Sequence, residues 1–185
     1  YVDDKNKMIS FDTGPGNYLI DKWVQIKIGK KFDKDGLIAK AGKVNKKVLN
    51  KSLTDSFFKK KFPKSLDVKD FNLKNFNKLN PVDGCSTLSM LTTESICMAL
   101  NKFKKKPNLL LLSGGGRRNK YIFDFIKKKL NTSVSLIDDF NFDGDFIESQ
   151  AFAYLAIRSY YKKVITFPST TGVNKSSLGG LIFKN

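Results

Sequence analysis

Leu109-Leu110-Leu111-Leu112-Ser113-Gly114-Gly115-Gly116 is a four-residue apolar run that ends in a glycine turn, and Ile122, Phe125, Ile126 and Leu130 follow at helical spacing. An unbroken apolar run of that length has the form of a strand buried on both faces, as in parallel sheets. Strand, glycine turn and helix make a βα unit, and that unit sets the class of the fold.

Working outward, Ser133 to Ile137 alternates as a further strand, and Asp145 to Tyr161 reads as a helix with Ile147, Ala151, Tyr154, Leu155 and Arg158 on one side. Gly180 to Phe183 reads as a last strand. Upstream, Thr87 to Phe103 carries Leu88, Leu91, Ser95, Ala99 and Phe103 at helical spacing and is closed by Pro107. Ala39 to Leu53 reads as another helix, and Phe62-Pro63 breaks the chain because proline removes a donor and restricts the residue before it. Ile20, Trp23, Val24 and Lys27 share a helical face that Gly29 terminates. Before them, Met8 to Phe11 is a short apolar strand running into Asp12-Thr13-Gly14-Pro15-Gly16-Asn17. Such alternation predicts an α/β domain, a mixed sheet flanked by helices. Ligands of such sheets bind at the C-terminal ends of strands, where both glycine loops fall.

The chain has 185 residues, 41% of them hydrophobic, which suits one globular unit with a real core. It opens at Tyr1 with its first strand almost immediately before the Asp12 loop, the expectation for a piece of something longer. Net charge is +17, a footprint compatible with nucleic acid or an anionic membrane. The distribution opposes both: arginines occur only at 117, 118 and 158, and lysines cluster at expected helix ends and loops, where they complement helix dipoles. There is no histidine, so a histidine base, a Ser-His-Asp triad and histidine metal ligands are excluded. Cys85 and Cys97 have no partners for a zinc site, and two cysteines make no disulfide framework, which fits a reducing cytoplasm. No run approaches ~18 apolar residues, and no signal peptide opens the chain.

Two loops carry chemistry. In Asp12-Thr13-Gly14-Pro15-Gly16-Asn17 a carboxylate at a strand end stands beside Gly14 and Gly16, whose backbone is open to an anion, the make-up of a phosphate-handling loop with a general base. A plain proline or Asx turn accounts for the same residues. Gly114, Gly115 and Gly116 allow backbone to lie flat against a ligand. They match neither the dinucleotide fingerprint nor a P-loop, and a flexible strand-to-helix turn is the simpler alternative. Glu148 is a candidate for substrate contact, yet Asp145 and Glu148 also have the spacing of a capping box.

In order along the chain, Phe11-Asp12-Thr13-Gly14-Pro15-Gly16-Asn17, Asp33-Lys34-Asp35-Gly36, Ala41-Gly42-Lys43-Val44, Pro63-Lys64-Ser65 and Asp70-Phe71-Asn72 are followed by Leu88 with Leu91-Thr92. Gly114-Gly115-Gly116 with Asn119, Glu148 with Ala151-Phe152-Ala153, and Pro168-Ser169 with Thr171-Gly172 complete the series. It resembles the anhydro-N-acetylmuramic acid kinase family from Phe11 to Phe183, and the Asp12 to Asn17 loop is its most specific phrase.

The resemblance implies an actin-like protein of two ribonuclease-H-like lobes with ATP between them, of which residues 1 to 185 are the C-terminal lobe. It implies hydrolytic opening of 1,6-anhydro-N-acetylmuramic acid with phosphorylation of O6, giving N-acetylmuramic acid 6-phosphate and ADP, with Mg2+, in peptidoglycan recycling. Asp12 takes the role of general base on water, Gly14 and Gly16 stand on the nucleotide side, and Gly114 to Gly116 line the adenosine. Asn17 and Glu148 fall to the sugar, no metal ligand is assigned, and the complete protein is expected to be a cytoplasmic homodimer. Three places depart from the family: Asp67-Val68 stands where Gly-Arg is usual, Ser149 where alanine is, and Val173 follows Thr171-Gly172 in place of alanine. The absent first lobe leaves a second reading open, a non-catalytic sugar-binding or dimerising remnant.

Overall fold

The computed structural model describes residues 1–65, 67 and 71–183. Its centre is one long helix. Helices α1 (Tyr18–Ile28), α2 (Leu37–Ala41), α3 (Lys46–Leu53) and α4 (Ser56–Lys59) precede α5 (Pro81–Asn101). Then follow β1 (Leu109–Leu112), α6 (Lys120–Lys129), β2 (Ser133–Leu136), α7 (Ile147–Tyr160) and α8 (Pro168–Thr171). Helices α1, α2, α3 and α6 all pack on α5. Small side chains along α5 let them approach closely: Cys85, Ser86, Thr87, Ser89, Thr92, Thr93 and Ser95 are all buried.

Helix α5 begins six residues before the expected Thr87. Asn80 accepts the Asp83 N–H at 2.8 Å and Pro81 occupies the first turn, a cap followed by the proline that a helix start tolerates. Trp23, fully buried on α1, donates its indole N–H to the Pro81 carbonyl at 2.7 Å and so locks α1 to that start.

The expected helix from Ala39 to Leu53 is two helices. Gly42 ends α2, and Asn45 restarts the chain by accepting the Val48 N–H at 3.0 Å. Between them, the Lys43 N–H goes to Asp83 and the Asn45 N–H to Thr87, at 2.7 and 3.0 Å, so α5 takes up the backbone groups that a continuous helix would have used. The break at Phe62-Pro63 is present.

The sheet is smaller than expected. Among the described residues it has two strands, β1 and β2, parallel and in register from Leu109 with Ser133 to Leu112 with Leu136. Leu110 and Leu112 pack against the core while Leu109 and Leu111 are exposed, so β1 is covered on one face only. The other two expected strands are corrected. Met8 to Phe11 contributes an isolated antiparallel bridge from Met8 to Val2, and residues 180–183 form no ladder. The backbone groups after Met8 go to different segments, those of Ile9 to Tyr1 and the Ser10 N–H to Ser169, so no single partner extends a ladder along 8–11. The mixed sheet is therefore a small parallel one flanked by helices.

Several lysines act as helix-end donors. Lys106 gives its ammonium to the Asn101 carbonyl at 2.8 Å, and Lys102 to that of Phe58 at 2.6 Å.

Candidate functional site

The Asp12 to Asn17 loop crosses the body of the molecule with one end in each of two cavities. At the first end the Asp12 N–H donates to the Lys64 carbonyl at 2.9 Å, and the Ser10 N–H donates to Ser169 at 3.2 Å. These two bonds draw together three segments distant in sequence. The result is a cavity of about 490 Å³ lined by Ser10, Phe11, Asp12, Pro63, Lys64, Ser65, Thr170, Thr171 and Gly172.

Lys64 forms the buried wall of this cavity. Its ammonium donates to the Phe57 carbonyl at 3.0 Å and lies 3.9 Å from the centre of the Phe57 ring. Burial pushes its pKa below the ordinary lysine value, the neighbouring Lys102 adds to that, and the Asp12 carboxylate opposes it. A positive charge thus stands close behind the candidate base.

At the loop's other end, Asn17 opens α1 and lines a second cavity of about 400 Å³ with Ile20, Asp21, Lys31, Phe32, Asp33, Lys34, Asp35, Gly115, Arg118 and Asn119. Burial, then the charge of Asp33, raises the Asp21 pKa. Asp33 is structural as well as lining: its carboxylate accepts the N–H groups of Ile38 and Ala39 at 2.8 and 3.0 Å and so sets the start of α2. Asn119 caps α6 by accepting the Ile122 N–H at 3.1 Å.

The glycines divide by environment. A Cβ on Gly14 would lie 2.5 Å from Ser95 Oγ, so its bareness serves close packing of the loop on α5. Gly16 instead has open space around it and is held by its carbonyl, which accepts from Thr92 at 2.7 Å. Gly114 has φ 71° and ψ −178°, a conformation that is essentially glycine's alone. A Cβ on Gly115 would meet nothing within 4 Å, and one on Gly116 would come no nearer than 3.5 Å, to the Asn17 amide. Backbone at Gly115 and Gly116 is therefore open to a flat ligand, with Asn17 facing it.

Asp12 thus stands in one cavity, and Asn17 and Gly115 in the other. Glu148 lines neither; it is exposed in the first turn of α7. The capping-box reading of Asp145 and Glu148 is corrected: Phe146 occupies the cap position without a side-chain bond, and the Asp145 carboxylate accepts from Arg117 and Arg118 instead. Ion pairing to two guanidiniums outweighs a single cap bond. Within the Asp70-Phe71-Asn72 phrase, Asp70 lies outside the described residues, as does Val68 of the departing Asp67-Val68 pair.

Two participants in these cavities went unnoticed in the sequence. Thr170 joins Asp12 through the fold alone, and Asp21 lies on an otherwise ordinary amphipathic helix. The stretch from Phe32 to Asp35 did carry a signal, in the phrase Asp33-Lys34-Asp35-Gly36.

Comparison with known proteins gives the family. The profile described as anhydro-N-acetylmuramic acid kinase matches residues 2–185. Proteins of that name from Pelagibacter ubique, Zymomonas mobilis and Rhodospirillum rubrum are 45%, 40% and 38% identical over 184, 179 and 172 residues. Those matches take in 95%, 97% and 93% of this chain but 49%, 49% and 46% of the relatives, so the chain spans about half the length of the curated relatives it matches. On a match over nearly its whole length, the chain belongs to the anhydro-N-acetylmuramic acid kinase family.

Proposed function

We propose that residues 1–185 form the C-terminal, ribonuclease-H-like lobe of a two-lobed, actin-like cytoplasmic kinase. The complete enzyme opens 1,6-anhydro-N-acetylmuramic acid with water and phosphorylates O6 in cell-wall recycling. The observation that carries this reading is the Asp12 to Asn17 loop, which joins a carboxylate-bearing cavity to one bordered by an open glycine turn.

In this reading the sugar occupies the Asp12 cavity. Asp12 takes a proton from water as the water oxygen bonds to the anomeric carbon and the bond from that carbon to O6 breaks. O6 then accepts the terminal phosphoryl group and ADP departs. The buried Lys64 ammonium places a positive charge beside the Asp12 carboxylate. Thr170, Thr171 and Ser65 offer hydroxyls for the sugar.

The nucleotide lies along Gly115 and Gly116, with Lys31, Lys34 and Arg118 supplying positive charge, and Asn17, expected at the sugar, is assigned here to the nucleotide because it lines the same cavity as Gly115. Among the described residues no three His, Cys, Asp or Glu side chains gather to hold a metal, and the proposal asks none of them to bind the magnesium that accompanies ATP. Among those residues, too, no helix is long and apolar enough to cross a membrane.

The test is turnover by the complete polypeptide given ATP and 1,6-anhydro-N-acetylmuramic acid, with N-acetylmuramic acid 6-phosphate identified by mass. Absence of that product with a folded protein rejects the reading. A dimerising role has one observation of its own: α7 carries Phe152, Tyr154 and Ile157 exposed on a helix with no buried residue. In sedimentation, the homodimer expected of the complete enzyme should weaken when Phe152 is changed to serine.

A further inference from the structure

Helix α7 carries Glu148, yet packing does not fix where that helix begins. None of its residues is buried, and Phe152 is 65% exposed. What reaches its leading end is polar. Arg117, with only 5% of its side chain exposed, donates through Nε and Nη2 to the two oxygens of Asp138 at 2.7 and 2.9 Å. Through Nη1 the same guanidinium donates to Asp145 at 2.7 Å and to the Gly114 carbonyl at 3.1 Å. Arg118 pairs with the other oxygen of Asp145.

Backbone bonds run alongside. The Gly114 N–H donates to the Gly144 carbonyl at 3.0 Å. A Cβ on Gly144 would lie 2.3 Å from Arg117 Nε, so glycine is what allows that segment to lie against the guanidinium. One planar fork therefore satisfies three segments at once: the glycine turn, the loop after β2, and the lead-in to α7. Lysine has no such geometry, being a point charge on a flexible stem.

We propose that Arg117 is a positioning residue that ties the first turn of α7, and Glu148 on it, to the Gly114 to Gly116 turn. A ligand pressing on the glycine turn moves Gly114 and Gly144, and Asp145 carries the displacement to α7. Nucleotide binding at the glycine turn and the order of the first turn of α7 are then coupled through this cluster, each strengthening the other by the same factor. The coupling rests on the kinase reading above; the mechanical tie does not.

The variants are Arg117→Lys, which keeps the charge and loses the fork, and Asp145→Asn, which releases α7 while leaving the Arg117 bond to Asp138. Hydrogen exchange of the complete polypeptide should show faster exchange in 114–118 and in 146–150 together in both variants. In the same polypeptide, ATP should slow exchange in 146–150 in wild type, and that protection should be lost in both variants. Should Arg117→Lys fail to fold, Asp145→Asn decides alone, since its carboxylate is 39% exposed and its loss strands no buried charge. Exchange that rises in only one segment, or ATP protection of 146–150 in the variants that matches wild type, overturns the proposal. A wild-type protein that does not bind ATP rejects the kinase reading and the coupling with it, and the exchange result without ATP still decides whether the tie exists.

Discussion

The backbone N–H of Asp12 is bonded to the carbonyl of Lys64 at 2.9 Å, so the candidate base and the buried ammonium behind it are fixed to each other through their main chains. Substituting the Asp12 side chain leaves that main-chain bond in place. In the complete enzyme, Asp12→Asn is predicted to lower turnover by ~10²- to 10⁴-fold, the usual worth of general-base assistance, with ATP affinity within a few-fold of wild type. Steady-state kinetics check this, and near wild-type turnover would remove Asp12 from the mechanism.

Gly14 and Gly115 should respond in opposite ways to the same methyl group. Ala at 14 must displace Ser95, which lies 2.5 Å from the new carbon, and the predicted cost is about 1–3 kcal/mol of stability, as for overpacking elsewhere. Ala at 115 meets open space, so stability should stay within ~0.5 kcal/mol while nucleotide affinity in the complete enzyme drops. Urea unfolding of both variants, with nucleotide titration of the second, tests the pair. A destabilised Gly115→Ala with unchanged nucleotide affinity contradicts the open-turn reading.

The Arg117 cluster predicts a particular acid response. Hydrogen bonds from Arg117 hold the carboxyls of Asp138 and Asp145 below the ordinary carboxylate range. Because the folded-state values are depressed, their contribution to stability is complete above the unfolded value of about 3.9 and is lost as pH falls through the lower, folded values. Denaturation midpoints at several pH values should therefore lose more between about pH 5 and pH 2 in wild type than in Asp138→Asn. Equal losses in the two proteins would count against the cluster as an acid-sensitive element.

Both cysteines should be inert in the native protein. Burial pushes the Cys97 thiol up to about 11, with Glu94 adding and Lys129 opposing, and burial raises Cys85 further still with Asp33 beside it. The thiolate is the reactive form, so thiol reagents at neutral pH should modify neither until the protein unfolds. Rapid native labelling of Cys97 would show that the end of α5 opens.

Local chemistry was legible in the sequence by itself. The βα unit at Leu109 to Leu130, the α1 helix with its Gly29 stop, and the loops bearing Asp12 and Gly114 to Gly116 all follow from apolar period and from glycine and proline, which act within a few residues. The ordered phrases also carried the family. What the sequence did not determine depends on partners far along the chain. Asn45 starts a new helix only because Thr87 and Asp83 on α5 take the intervening N–H groups, and Met8 to Phe11 is no strand because Tyr1 and Ser169, from separate segments, share its backbone bonds. Asp145 looked like a cap until the fold set Arg117 and Arg118 against it. Tertiary structure alone decided that the two ends of the Asp12 to Asn17 loop face different cavities, since Lys64, Thr171 and Gly115 reach them from three separate segments. A periodic pattern records which face of an element is apolar, and carries no information about which distant polar group will meet it.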